Sequence, residues 1–156
     1  MKKHQYTVQV EWTGNKGEGT KNYKAYSRNH TVQARGKYDK IHASSDPSFL
    51  GDATKYNPEE LFLAAIANCH MLWYLHLCAS NNIIVIDYTD NPVAIMEESK
   101  DGSGKFTEAT LYPTVTITDE KQIVKATHLH TEAHKMCFIA NSCNFQIKHK
   151  PTINTL

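Results

Sequence analysis

The residues that carry chemistry are four cysteines, Cys69, Cys78, Cys137 and Cys143, and nine histidines. No two cysteines have C-x-x-C spacing, so each is a core residue, a metal ligand or a reactive thiol. A lone cysteine in an apolar stretch is usually a small core residue, and that reading suits Cys78 and Cys143. For Cys69 and Cys137, spacing leaves both the structural and the reactive reading open. His130 and His134 stand at i, i+4. The run His130-Thr131-Glu132-Ala133-His134 places its glutamate wrongly for H-E-x-x-H. A tetrahedral set of Cys69, His76, His130 and Cys137 is conceivable, but no compact ligand cluster is written in the chain, and neither metal nor cofactor is expected. His128 should face solvent. His70 and His76 read as polar core or cleft residues, and His70 points about 100° away from Cys69 on a helix, a poor direction for a general base.

These residues need elements to position them. Residues 4–13 alternate, with Tyr6, Val8, Val10 and Trp12 on one side, the pattern of a half-buried strand. Gly14 to Gly19 reads as a turn without the phosphate-loop pattern G-x-x-x-x-G-K-[ST]. Weaker alternation predicts strands over 20–33 and 37–43, then a polar loop from Ser44 to Asn57. Asn57-Pro58-Glu59-Glu60 is a helix start: a capping residue, a proline for the first position and acids for the positive end of the dipole. The helix should run to about Ser80, apolar nearly all round, and stop at Asn81-Asn82. A strand over 83–97 bent near Pro92, a turn at 100–104, and a strand over 106–118 with an edge or bulge at Pro113 follow. Asp119 can cap a second helix over roughly 120–141, and 144–150 closes the chain as a strand. Strands, long helix, strands, helix, strand is an α+β order, helices on a largely antiparallel sheet. A length of 156 residues suits one domain spanning 1–156.

Lys+Arg number 17 and Asp+Glu 16, a balance that gives no field to attract nucleic acid or an anionic membrane. Met1 to Tyr6 has lysines but no apolar stretch behind them, unlike a secretory signal. A cytoplasmic, reducing setting is therefore expected, and a disulfide framework is not. Leu61 to Ala79 is apolar enough to raise a membrane span, but Asn68, His70 and His76 near its middle favour a buried core helix.

Helical spacing sorts the thiols. Phe62, Ala65, Cys69, Leu72 and His76 share one face of the first helix, and Cys78 lies about 180° from Cys69. On the second helix Ala126, His130, Ala133, Cys137 and Ala140 form a stripe whose small side chains permit close approach. If the two faces pack, the two thiols can come within disulfide reach.

The stretch Tyr56-Asn57-Pro58-Glu59-Glu60-Leu61-Phe62-Leu63-Ala64-Ala65-Ile66-Ala67-Asn68-Cys69 resembles the signature of the OsmC/Ohr family. Ala133-His134-Lys135-Met136-Cys137 resembles its second cysteine site, with Phe138 standing where the family usually has proline. The resemblance implies an OsmC-like fold, an antiparallel sheet with a long buried central helix and a second helix, in an intertwined homodimer with its sites at the subunit interface. It implies a thiol-dependent peroxidase of the oxidative stress response. Cys69 would attack an organic hydroperoxide or hydrogen peroxide, Cys137 would resolve the product to a disulfide, and an external dithiol, lipoyl-type or a small thiol, would reduce it. The helix dipole fades long before Cys69, so a cation must stabilise its thiolate. The family uses an arginine held by the glutamate of N-P-E. Glu59 matches that glutamate, and Arg28 is favoured over Arg35 as the arginine. Since Glu59 lies about 15 Å from Cys69 on a straight helix, the helix breaks, the arginine bridges, or the other subunit contributes. Phe138 and a first turn without arginine favour an alternative, a fold member that binds an apolar ligand.

Overall fold

The computed structural model describes residues 1–156. It divides into two compact units, Met1–Leu61 and Phe62–Leu156.

The first unit is an antiparallel meander of β1 (Gln9–Trp12), β2 (His30–Gln33) and β3 (Ile41–Ala43), with Val10 opposite Val32 and Trp12 opposite His30. The strand expected over 20–33 is formed only at its end. Upstream of His30, side chains take the backbone donors a ladder needs: Asn22 Oδ1 accepts from Lys24 N and Ser27 Oγ from Asn29 N. Such local bonds compete with sheet. The 37–43 strand shrinks likewise to Ile41–Ala43, after a turn through Gly36 at φ 79°, where an L side chain is strained. Tyr6, Val8 and Val10 are exposed, so the alternation of 4–13 marks a face that this chain leaves uncovered, and the strand itself is short.

α1 (Pro58–Ser80) begins in a capping box. Asn57 Oδ1 accepts from Glu60 N at 2.8 Å, and Glu60 Oε2 accepts from Asn57 N at 3.1 Å. It ends where Asn82 turns left-handed at φ 56°. Ile83 N then reaches Cys78 O, and Asn82 N reaches Ala79 O, the bonds of a Schellman stop.

In the second unit α1 buries Ile66, Ala67, His70, Tyr74 and Cys78. That face is rotated by about one residue from the expected stripe, and Leu72 and His76 are exposed. α1 has the length and hydropathy of a membrane span, yet it packs His70 and Tyr74 into protein. α2 (Ile123–Met136) is shorter than the helix expected over 120–141. Asp119 caps a separate 3₁₀ turn at 120–122, and Cys137 is extended at φ −68°, ψ 108°. Another 3₁₀ turn occupies 140–142.

The strands form two three-stranded sheets, β4-β7-β9 and β5-β6-β8. Their members are β4 (Val85–Asp90), β5 (Val93–Glu98), β6 (Gly104–Leu111), β7 (Pro113–Ile117), β8 (Gln146–His149) and β9 (Thr152–Thr155). The pairs β4/β7 and β5/β6 are antiparallel, while β7/β9 and β6/β8 are parallel. Three long strands are thus creased along one line, at Pro92, Pro113 and Pro151. Proline gives no N–H to a ladder, so the crease falls where donors are missing. Tyr112 N donates to Asp90 Oδ1 there, and Lys150 N to Leu111 O. Pro113 opens β7 as its first residue, one of the places a sheet tolerates it. Tyr74, Cys78, Ile83, Val115, Ile117, Ala126, Leu129 and Ala133 form one core, and Ile66, Ala67, Ala109, Leu111 and Ile147 form another.

Alanine at 57 keeps the backbone N–H that Glu60 accepts but loses the Oδ1 that caps Glu60 N, so Asn57→Ala should cost about 1 kcal/mol. Urea unfolding monitored by far-UV circular dichroism measures the difference from the parent chain.

Candidate thiol site

The packing of α1 against α2 brings two cysteines together. Cys137 is 0% exposed, and its thiol lies near enough to Cys69 for that neighbour to push it up. Cys69 is half-buried on the flank of α1. Burial pushes the Cys137 thiol up to about 12; the neighbouring Cys69 thiol adds to this, and backbone N–H groups of Ala140 and Ile139 oppose it. The Ala140 bond, 3.4 Å to Sγ, exists because the chain leaves α2 at Cys137 and turns at once into the 140–142 turn. The sulfur therefore sits against freshly freed amides.

One turn past Cys69 stands Trp73, and directly after Cys137 stands Phe138. Their rings meet edge-on at 5.5 Å, with Phe138 68% exposed. The residue in place of proline thus gives the site an aromatic wall.

The other thiols are apart from this pair. Cys78 is buried in the core against the Tyr74 hydroxyl, and Cys143 donates to Ile139 O at 3.2 Å. Burial raises both.

Arg28 belongs to the first unit. It donates to Tyr26 O at 2.8 Å and Tyr23 O at 2.7 Å, and its guanidinium lies over both rings, 4.1 and 4.3 Å from their centroids. Arg35 is exposed beside the Gly36 turn. Glu59 sits in the first turn of α1 without an ion-pair partner. α1 does not break after it, so the roughly 15 Å of straight helix to Cys69 stands. The Gly14–Gly19 turn is closed on itself, with Asn15 Oδ1 accepting from Gly17 and Gly19 N.

The site holds one group that the sequence reading did not assemble. His70 Nε2 and His130 Nδ1 bond at 2.9 Å, and the Tyr74 ring stacks on His130 at 3.7 Å. The small residues of the α2 stripe make room for these rings. The i, i+4 histidines and His70 on the buried face were the available signal, but the 60-residue separation of the pair hides it. His76 lies edge-on to Trp73 and His130 is taken by His70, so Cys69, His76, His130 and Cys137 do not converge, and no cluster of three or more side chains is arranged to hold a metal. His128 faces solvent beside Glu132.

An α+β chain with two creased, mixed sheets and a thiol pair across two packed helices defines a narrow structural class. The OsmC-like protein family matches residues 51–152, and the chain belongs to that family. It is similar over 96% of its length to an OsmC-like protein of unknown function from Vibrio cholerae O1 biovar eltor, at 32% identity and a TM-score of 0.85, covering 99% of that chain. An organic hydroperoxide resistance protein from Elizabethkingia anophelis shares the fold at 20% identity and a TM-score of 0.68, with 99% and 100% of the two chains covered. An OsmC-like protein from Mycoplasma pneumoniae does so at 13% and 0.71, with 97% and 98% covered. No curated protein matches the sequence.

The geometry makes the two paired thiols unequal. At about pH 8, where an ordinary free cysteine is substantially thiolate, Cys137 should alkylate with iodoacetamide at least ~10-fold more slowly than a free cysteine. Mass mapping of labelled peptides over time gives the rate.

Proposed function

We propose that the chain is a thiol-dependent peroxidase that reduces organic hydroperoxides or hydrogen peroxide through Cys69 and Cys137. The observation that carries this reading is the neighbouring pair itself, one thiol half-buried on α1 and one buried at the end of α2. The Cys69 thiolate attacks the distal oxygen of R–O–O–H. The O–O bond breaks, an alcohol leaves after taking a proton, and Cys69 becomes a sulfenic acid. Cys137 then forms the S–S bond, its proton leaving with the sulfenic hydroxyl as water. An external dithiol reduces the disulfide by two successive exchanges.

Arg28 is proposed as the cation for the thiolate and Glu59 as its carboxylate partner. The tyrosine carbonyls and rings fix Arg28 while occupying only part of its five-donor fork. A cytoplasmic, intertwined homodimer of single OsmC-like domains is part of the same reading. Support comes from Leu72, 63% exposed on α1, and from the uncovered apolar side chains of β1, which a single chain leaves in water.

A second reading, a binder of apolar ligands without efficient turnover, is favoured by the exposed Phe138 against Trp73. Brief exposure to one equivalent of peroxide separates the two. Selective Cys69–Cys137 disulfide formation supports the peroxidase, and slow oxidation of all four thiols supports the binder. Cys69→Ser should abolish dithiol-dependent peroxide consumption; full activity in that variant would sink the assignment. Cys137→Ser should still consume about one equivalent and accumulate a sulfenic acid that dimedone traps.

A further inference from the structure

Next to the thiol pair along α2 lies a group of rings that the proposed chemistry leaves unused. His70 is 1% exposed and His130 0%. From β8, His149 stands 5.6 Å from the His70 ring and 6.3 Å from the His130 ring. His134 stands 5.7 Å from His149. From α1, Tyr74 covers His130 and carries Cys78 against its hydroxyl. From β4, Tyr88 lies 6.0 Å from Tyr74, with Asp90 acting on Tyr88 in turn. Thr131 Oγ1 is 3.5 Å from His149 Nε2. No carboxylate forms an ion pair with any of these four histidines.

The bond between His70 and His130 needs one proton between two ring nitrogens. Their outer nitrogens, His70 Nδ1 and His130 Nε2, are buried without partners. A neutral pair therefore leaves one N–H and one lone pair unsatisfied. A doubly charged pair would aim two N–H groups at each other, between ring centroids 5.2 Å apart, with no counter-charge. Burial first, then the neighbouring histidines, lowers His70 to about 4 and His130 to about 3, and His149 is lowered as well.

We infer that the His70–His130 pair is an acid-sensitive latch on the α1–α2 seam, whose protonation drives the helices apart and so uncovers Cys137 and separates it from Cys69. Helix α2 is the mechanical link, because it carries His130 and His134 and Cys137 follows directly at its C-terminal end. The latch concerns the seam, and it holds whatever the thiols reduce. Its sign follows from the lowered values. The closed state binds fewer protons than the open one below about 6.5, the ordinary imidazole value. The latch is therefore fully closed above that pH and weakens as the pH falls toward the lowered values. With two protons taken up on opening, the closed-to-open ratio falls about a hundredfold per pH unit.

The test uses 4,4′-dithiodipyridine, which labels thiols in acid as well as at neutral pH, with mass mapping of each cysteine and far-UV circular dichroism in parallel. On stepping from about pH 7 to about pH 4, Cys137 should become labelled while the core thiol Cys78 stays shielded and the dichroism persists. If Cys137 opens only together with Cys78 as the fold is lost, the latch is overturned. The double variant His70→Phe, His130→Phe should move the Cys137 step down by about one pH unit or more; an unshifted step overturns the inference. Should that variant not fold, ring NMR of the unaltered chain decides. Rings of His70 and His130 that take protons near the ordinary imidazole value while Cys137 stays shielded refute the latch, and rings that titrate only as Cys137 opens support it.

Discussion

The seam between α1 and α2 is the constraint on which the rest depends. Neither helix has a wholly apolar inner face. Each puts a histidine into it, and the two meet at 2.9 Å with tyrosine stacked over one of them. A buried polar group without a partner costs far more than a made hydrogen bond returns. The pair therefore accepts few relative positions of the helices, whereas leucines would accept many. That selectivity matters because a disulfide tolerates little error in Cα separation. A slide of one helix by a turn, about 5.4 Å, would break the imidazole bond and part the thiols together.

The sheets serve the same end. The crease at Pro92, Pro113 and Pro151 divides three long strands into two sheets, and His149 ends β8 just before it. Two more residues bring the chain to Pro151, where the ladder is interrupted, so His149 is placed beside His70 and His134. Val115 and Ile117 of β7 and Leu111 of β6 then supply the apolar floors of the two cores. Parallel pairing of β8 and β9 with β6 and β7 comes with it, because the chain reaches them through α2 and not through a hairpin.

Local chemistry was legible in the sequence, and long-range geometry much less so. The capping box at Asn57 and Glu60, the stop at Asn82, the break near Pro92 and the central place of Cys69 can all be read from neighbouring residues. Helical spacing put Cys137 on the His130 stripe of a helix over 120–141, whereas α2 ends at Met136 and Cys137 is extended. Spacing put the buried face of α1 about one residue off, because a helix apolar on nearly all sides carries little periodic signal. β9 was missed since Thr152 to Thr155 follows a proline and is too short to alternate clearly. The extent of the 20–33 strand was overread because asparagine and serine side chains divert backbone donors there. The i, i+4 histidines and His70 hint at the histidine pair, but nothing in either helix alone marks which of nine imidazoles will meet.

The unequal burial of the two thiols suits the roles proposed for them. A thiol that meets peroxide must be reachable, and Cys69, half-buried at the edge of α1, is. A thiol that only answers the first need not be. Condensation with a sulfenic acid releases water, and the proton of Cys137 can leave with the hydroxyl it displaces. A thiol held neutral by burial, already beside its partner, is thus kept out of reach of external oxidants without being lost to the second step. The same burial ties Cys137 to the seam, at the point where α2 ends against α1.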